Sequence, residues 1–391
     1  MEKIVIVSAA RTPVASFQGA FANLPAPKLG AIAIKAALEK AGISANDVSE
    51  VIMGQVLTAG VGQAPARQAA LYAGIANYTP CLTINKVCGS GLKAVMLASD
   101  SIRLGHSTIV VAGGQENMTL APHLLENSRS GYKMGNQSLI DSMVKDGLWD
   151  PYNNFHMGNA AEICSRDFSF SREAQDAFAI DSYKKAQRAI AEGKFKNEIC
   201  AVTIENKKGS VVVDTDEEPG KALFDKIPGL KPAFEKDGTI TAANASKIND
   251  AAAALVLISE SEAKKRGLRP LATIVAYASF AQEPKYFTTA PVGAIKKTLQ
   301  MVNLKISDID HYEINEAFAN VTMAAQKSLE IPPEKINIHG GAIAIGHPIG
   351  ASGARILTTL VHSLHTHNLK RGLATLCIGG GEAVSMIIER Y

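Results

Sequence analysis

Several short segments of this chain recur, in the same order, about 260 residues further along. Gly30-Ala31-Ile32 followed by Asp47-Val48 has a counterpart in Gly293-Ala294-Ile295 followed by Asp308-Ile309. Ser90-Gly91 followed by Gly113-Gly114-Gln115-Glu116 matches Ser352-Gly353 followed by Gly379-Gly380-Gly381-Glu382. One match of two residues means little, but four in order at a consistent spacing mark two copies of one unit. A duplicated chain folds as two similar halves, so the character of one half sets the class. The apolar runs Ile4–Val7, Glu50–Met53 and Thr108–Ala112 read as buried strands, and Leu29–Ala41 and Gly91–Leu104 as helices between them. That alternation predicts an α/β fold with sheet strands covered by helices.

Between the copies the character changes. From about Met118 to Lys247 the chain is richer in Asn, Lys and Glu, with breaks at Pro219-Gly220 and Pro228-Gly229. One helix stands out there, Ser171–Glu192, opened by a cap at Ser169 or, better, at Ser171 beside Glu173. The division expected is an N-terminal half of 1–118 plus 248–270, an inserted loop domain of 119–247 over a binding face, and a C-terminal half of 271–391. A length of 391 residues suits two or three such units.

Charge and cysteine content narrow the chemistry. A formal net charge of +3 gives no case for nucleic acid. Five scattered cysteines, Cys81, Cys88, Cys164, Cys200 and Cys377, do not form a disulfide framework, which points to a reducing compartment. No apolar run reaches membrane-spanning length, so no membrane partner is expected. The first residues lack signal-peptide and transit-peptide character and the last lack a peroxisomal address, leaving the cytoplasm as the expected location.

Three Gly-rich clusters each hold a reactive side chain. In Asn85-Lys86-Val87-Cys88-Gly89-Ser90-Gly91 the cysteine ends an extended segment and meets a helix start. Unpaired N–H groups and the positive end of the helix dipole there are expected to lower its thiol pKa. The residues alone leave open whether Cys88 is a nucleophile or a buried structural thiol. The run from His339 to Gly353 surrounds His347 with glycines, as in a loop that presents an imidazole to a distant nucleophile, or in a hydrogen-bonded loop with no chemistry. Leu376-Cys377-Ile378-Gly379-Gly380-Gly381-Glu382 again joins a strand to a flexible turn, and the duplication sets Cys377 near the counterpart of Val111. Neither Cys-x-x-Cys nor a compact His spacing supports a metal site, and His362, His365 and His367 do not share one helix face. In Glu313-Ile314-Asn315-Glu316, the two polar residues read either as a helix start or as holders of a water or substrate carbonyl.

Together the segments Asn85-x-x-Cys88-Gly89-Ser90-Gly91, Asn315-Glu316-Ala317-Phe318, Gly346-His347-Pro348-Ile349-Gly350-Ala351-Ser352-Gly353 and Cys377-Ile378-Gly379-Gly380-Gly381 resemble the thiolase family, over the whole chain. His156-Met157-Gly158 is similar to its biosynthetic, acetyl-CoA acetyltransferase branch. The resemblance implies a duplicated α/β/α layered fold and an acyltransferase that joins two acetyl-CoA molecules, or cleaves acetoacetyl-CoA. It implies Cys88 as nucleophile, His347 as its base, Cys377 as the base for the second substrate, and Asn315 and Gly379 in the oxyanion sites. Coenzyme A would run past Leu148, His156, Met157, Phe234, Ala242, Ser246, Ala317 and Phe318. Acyl-CoA thioesters are substrates and no further cofactor or metal is implied. A homotetramer or homodimer is expected, with Pro122–Gly135 as a candidate tetramerising loop. The chain departs from the family at Ala243, Lys247, Ala251, His339 and Gly220 (Lys221 adjacent), mostly at the nucleotide end, where Lys247 is a candidate phosphate contact. The nearest alternative is a degradative 3-ketoacyl-CoA thiolase acting on longer chains. A ketoacyl synthase and a non-catalytic scaffold fit less well with Cys88, His347 and Cys377 all present.

Overall fold

The computed structural model describes residues 2–206 and 209–391. Nine strands run side by side: β1 (Ile4–Arg11), β2 (Glu50–Gly54), β3 (Cys81–Ile84), β4 (Ile109–Asn117), β5 (Asn249–Ser259), β6 (Ala272–Ala281), β7 (His311–Ile314), β8 (Arg371–Ile378) and β9 (Glu382–Arg390). Their spatial order is β7-β8-β9-β6-β1-β5-β4-β2-β3, with the short strand Ala15–Ser16 paired to β5. Outward from the β6/β1 junction the two halves read alike, except that the first carries one further edge strand, β3, paired parallel to β2. Each half has two antiparallel pairings and then a parallel one, β1/β5, β5/β4, β4/β2 and β6/β9, β9/β8, β8/β7.

Helices α1 (Ala26–Ala41), α2 (Pro65–Tyr72) and α3 (Ser90–Arg103) belong to the first half. In the intervening stretch lie α4 (Met157–Phe168) and α5 (Arg172–Ala191). The second half contributes α6 (Ala290–Met301), α7 (Ala319–Leu329) and α8 (Ser352–Thr366). The apolar clusters define five layers. One core joins α1 and α2 to the outer face of the first half-sheet, and another joins α6 and α7 to the outer face of the second. The largest core holds α3 and α8 between the two half-sheets. Strands with both faces covered read as continuous apolar runs, which is why β1 and β8 are buried along almost their whole length.

The repeated Ser-Gly pairs open α3 and α8, the two central helices. A Cβ on Gly91 would lie 2.6 Å from the Ala354 nitrogen, and one on Gly353 would lie 2.3 Å from the Leu92 nitrogen. The helices cross backbone to backbone at their first turns, and only glycine fits. That crossing brings the segments before both helices, which carry Cys88 and His347, to one end of the molecule.

The pairing register corrects one alignment. Val51 lies beside Val111, and Tyr312 beside Leu373. With β2 matched to β7, the counterpart of Cys377 is therefore Gln115, not Val111. The glycines of the first copy, Gly113 and Gly114, lie inside β4. Those of the second form the turn between β8 and β9, with positive φ at Gly380 and Gly381 (91° and 85°). Where the second half uses that short turn, the first half carries the long segment from Met118 to Ile248.

The expected helix 171–192 is present as α5, and Ser171 caps it by accepting from the Ala174 N–H at 3.2 Å. Ser169 instead ends α4 in a left-handed conformation. Among the described residues no helix is long and apolar enough to cross a membrane.

Candidate active site

Cys88 lies in the bend between β3 and α3. Asn85 Oδ1 accepts from the Val87 N–H (2.9 Å), and Ser90 Oγ accepts from the Lys86 N–H (2.8 Å) while donating to the Val87 carbonyl (2.7 Å). These bonds hold Val87 at φ 45°, a conformation that costs a β-branched residue about 1–3 kcal/mol. The Cys88 sulfur is in reach of its own N–H and that of Gly379, the residue after Ile378 in the other half. The charge of a Cys88 thiolate also acts on Cys377, which is fully buried. The Cys88 sulfur therefore lies near Cys377 of the other half.

The expected pKa reduction at Cys88 is overturned. Burial pushes the thiol up to about 11, the two N–H groups pull it back only in part, and the Glu116 carboxyl adds to the rise. A helix start lowers a thiol pKa where water also reaches the sulfur; here desolvation is the larger effect. Cys377 is raised further still by burial and by Cys88.

His347 is held at two points, through Asn249 and Ser352, with the Asn315 amide lying beside its ring. Its N–H donates to Asn249 Oδ1 (2.9 Å), Nδ1 lies 2.6 Å from Ser352 Oγ, and Asn315 Nδ2 lies 3.5 Å from Nδ1. The Ser352 hydroxyl already donates to the Pro348 carbonyl at 2.8 Å. The network therefore assigns the ring proton to Nδ1 and leaves Nε2 bare. Nε2 is buried and has no protein partner among the described residues, and the same is true of Asn315 Oδ1. Buried polar atoms without partners are rare and mark places where a substrate or water group is received. Burial, aided by the nearby Arg355 charge, pushes the imidazole down to about 3. The imidazole is thus neutral, with Nε2 free of protein partners among the described residues.

Glu316 has another task. Its carboxylate accepts from Ser182 Oγ (2.7 Å), Asn337 Nδ2 (2.7 Å) and the Ile343 N–H (3.1 Å), anchoring the turn that leads to His347. Neither Asn315 nor Glu316 starts a helix, since α7 begins at Ala319.

Side chains of the intervening stretch form a wall beside Cys377. Met157, Phe234, Ala317 and Phe318 pack in one cluster with it. His156 stacks on Phe234 at 4.8 Å between centroids, and Phe234 meets Phe318 edge-on at 6.0 Å. The Ser246 N–H donates to the Ala317 carbonyl (2.9 Å), so the loop carrying Ala242 and Ser246 is laced to Ala317 and Phe318. Leu148 packs near Cys88 with Val56, Leu57 and Ile349. Lys247 does not reach outward as a phosphate contact would. Its ammonium donates to the carbonyls of Ala242 and Ala245 and sits over the Tyr183 ring, where burial pushes its pKa down to about 8. Lys221 is engaged with Ser16 and Glu217, and His339 with His367 at 2.9 Å.

Three contributors had no role legible in the sequence, although Ser352 and Glu116 stand in its internal repeat. Ser352 fixes the His347 tautomer, Asn249 anchors its backbone, and Glu116 accepts from the Gly350 N–H (2.8 Å) in the same loop. Asn249 shows only as a polar residue at the end of an apolar strand.

Residues 4–261 match the family model described as "Thiolase, N-terminal domain", and residues 268–390 match "Thiolase, C-terminal domain". Over the full length of both proteins, the chain is 55% identical to an acetyl-CoA acetyltransferase of Cupriavidus necator and 50% identical to one of Paracoccus denitrificans. The crystal structure of the Acat5 thiolase from Ascaris suum in complex with coenzyme A matches with a TM-score of 0.95 and 41% identity, covering 100% of each chain.

Proposed function

The chain belongs to the thiolase family, and from that premise we propose that it joins two acetyl-CoA molecules into acetoacetyl-CoA and free coenzyme A, and runs the reverse cleavage. The observation that carries this reading is the bare, buried Nε2 of His347, in the loop whose Ile349 packs in one cluster with Cys88. In the first step the Cys88 sulfur bonds to the acetyl carbon while His347 Nε2 takes the thiol proton. Coenzyme A leaves with the proton of the Cys377 thiol, so that Cys377 is left as the thiolate for the next step while His347 keeps the Cys88 proton until Cys88 needs it back. The acetyl group stays on Cys88, a covalent intermediate that divides one hard step into two.

In the second step Cys377 removes a proton from the methyl group of another acetyl-CoA. The resulting carbon attacks the acetyl group, and Cys88 departs and recovers a proton. Proton loss from so weak a carbon acid needs charge stabilisation at the thioester oxygen. His347, with a water held by Asn315, supplies it there, and the N–H groups of Cys88 and Gly379 serve the oxygen on the acetylated cysteine. Losing one such donor typically costs about 3 kcal/mol. The high thiol pKa values agree with proton transfer coupled to attack rather than with a thiolate standing in the free enzyme.

The coenzyme A path assigned to Leu148, His156, Met157, Phe234, Ala242, Ser246, Ala317 and Phe318 is supported by the packing of Met157, Phe234, Ala317 and Phe318 with Cys377 and of Leu148 with Cys88, by the stacking of His156 on Phe234, and by the bond from Ser246 to Ala317 on the loop that exposes Ala242. The division into two halves and an inserted 119–247 domain is supported by the mirrored strand order. Five unpaired cysteines agree with a reducing, cytoplasmic setting. The stretch around Pro122–Gly135 exposes Leu120, Leu125, Tyr132, Met134 and Leu139, apolar side chains suited to contacts between subunits of a tetramer.

Acetoacetyl-CoA mixed with free coenzyme A tests the reading, since cleavage removes the enolate absorbance. We expect turnover with kcat/KM highest for the four-carbon substrate. No turnover refutes acyl transfer, and a preference for longer chains assigns the degradative activity instead.

A further inference from the structure

Each reactive loop is held from the opposite half by a carboxylate. On the His347 side, Glu116 of the first half accepts from the Gly350 N–H (2.8 Å) of the second. The same carboxylate takes the Val56 and Leu57 N–H groups (3.0 and 3.2 Å), so it is committed to fixing the loop. On the Cys88 side the position matching Glu116 is Ile378, which cannot accept. The carboxylate there comes from the neighbouring strand: Glu382 pairs with Ile378 in the β8/β9 register. It forms an ion pair with the ammonium of Lys86, two residues before the nucleophile. Among the described residues this is the one salt bridge between the Cys88 loop and the other half.

What it restrains is strained. Val87 sits at positive φ, with its side chain packed near Gly379. Gly89 approaches Ile378 so closely that a Cβ would lie 2.4 Å from Ile378 Cδ1. The loop's other side-chain hydrogen bonds, through Asn85 and Ser90, are internal to the first half. They shape the bend without fixing it against Gly379. Relaxation of Val87 toward negative φ would swing the Cys88 sulfur away from the Gly379 N–H.

We propose that the Lys86–Glu382 pair is a positioning device, a latch that holds the strained nucleophile loop in register with the Gly379 turn of the other half. This rests on the acyl-transfer reading. Neither residue touches the reacting atoms, and both are partly exposed (side chains 24% and 37%), so their effect on stability is small while their effect on geometry is direct. A displacement on the order of 1 Å at a reacting atom costs up to ~100-fold in rate.

The test is single-turnover acetylation of Cys88 by acetyl-CoA, quenched rapidly and read by mass spectrometry at low salt. Lys86→Glu and Glu382→Lys are each expected to slow acetylation roughly tenfold. The double swap is expected to return to about threefold of wild type. The neutral variants Lys86→Gln and Glu382→Gln, which carry no new repulsion, are expected to fall between. Thermal midpoints should stay close to wild type, and added salt should slow wild type but not the single variants. Single variants that acetylate at the wild-type rate, or a swap no faster than the singles, overturn the latch. A wild-type chain that takes up no acetyl group refutes the acyl-transfer reading itself, and the positioning role with it.

Discussion

With the Cys88 thiol pushed up to about 11 and the His347 imidazole down to about 3, the proposed nucleophile and its proposed base are both neutral groups across the whole physiological range. A raised thiol pKa means the thiolate fraction grows about tenfold per pH unit up to that value, and at pH 7 it is only about one part in ten thousand. Alkylation of Cys88 by iodoacetamide in the free enzyme should therefore rise steadily from pH 6 to beyond pH 9 without levelling. A plateau centred near pH 6–7 would show a preformed thiolate–imidazolium pair and contradict the burial argument. The sequence made Cys88, His347 and Cys377 legible as candidates because Gly-rich turns surround each of them. The direction of the Cys88 shift was not legible. Helix starts and N–H groups are local features, whereas the desolvation that outweighs them comes from Ile378, Ile349 and other residues far along the chain.

Among elements, the junction of α3 and α8 does most to set the site. The Ser-Gly pairs showed in the sequence as a repeat, and their reason emerges from the crossing that leaves no room for a Cβ on Gly91 or Gly353. Gly353→Ala is expected to destabilise the fold by about 1–3 kcal/mol, because the new carbon meets backbone that cannot step aside. Thermal or denaturant unfolding checks this, and an unchanged midpoint would mean the helices separate at little cost. Strand and helix positions were readable to within a few residues from apolar runs and caps. The match of Gly113–Glu116 to Gly379–Glu382 slipped by four, since similar letters stand for a strand interior in one copy and a turn in the other. Only pairing register separates those cases.

For the whole molecule, the duplication explains why the segments carrying residues 88, 347 and 377 lie at one end of the fold. Two equivalent helix starts cross at the centre, and the end of β8 supplies the third group. The long segment between β4 and β5 occupies the place of a three-residue turn and roofs the site. Its exposed apolar side chains from Leu120 to Leu139 lead to the expectation of a tetramer, about four times the 41.3 kDa chain mass by light scattering. A monomer mass would refute that assembly. Contacts such as Glu116 to Gly350 and Asn249 to His347 could not be read beforehand. They join residues roughly 100 to 230 positions apart through hydrogen bonds that leave no periodic trace.

The convergence of two thiols and one imidazole is tested most directly by incubating the protein with acetyl-CoA alone and mapping the adduct by mass spectrometry. One acetyl group per chain is expected, on Cys88, absent from Cys88→Ala and formed far more slowly in His347→Ala. An acetyl group found only on Cys377 or on no cysteine, or one that forms on Cys88 at the same rate without His347, would contradict it.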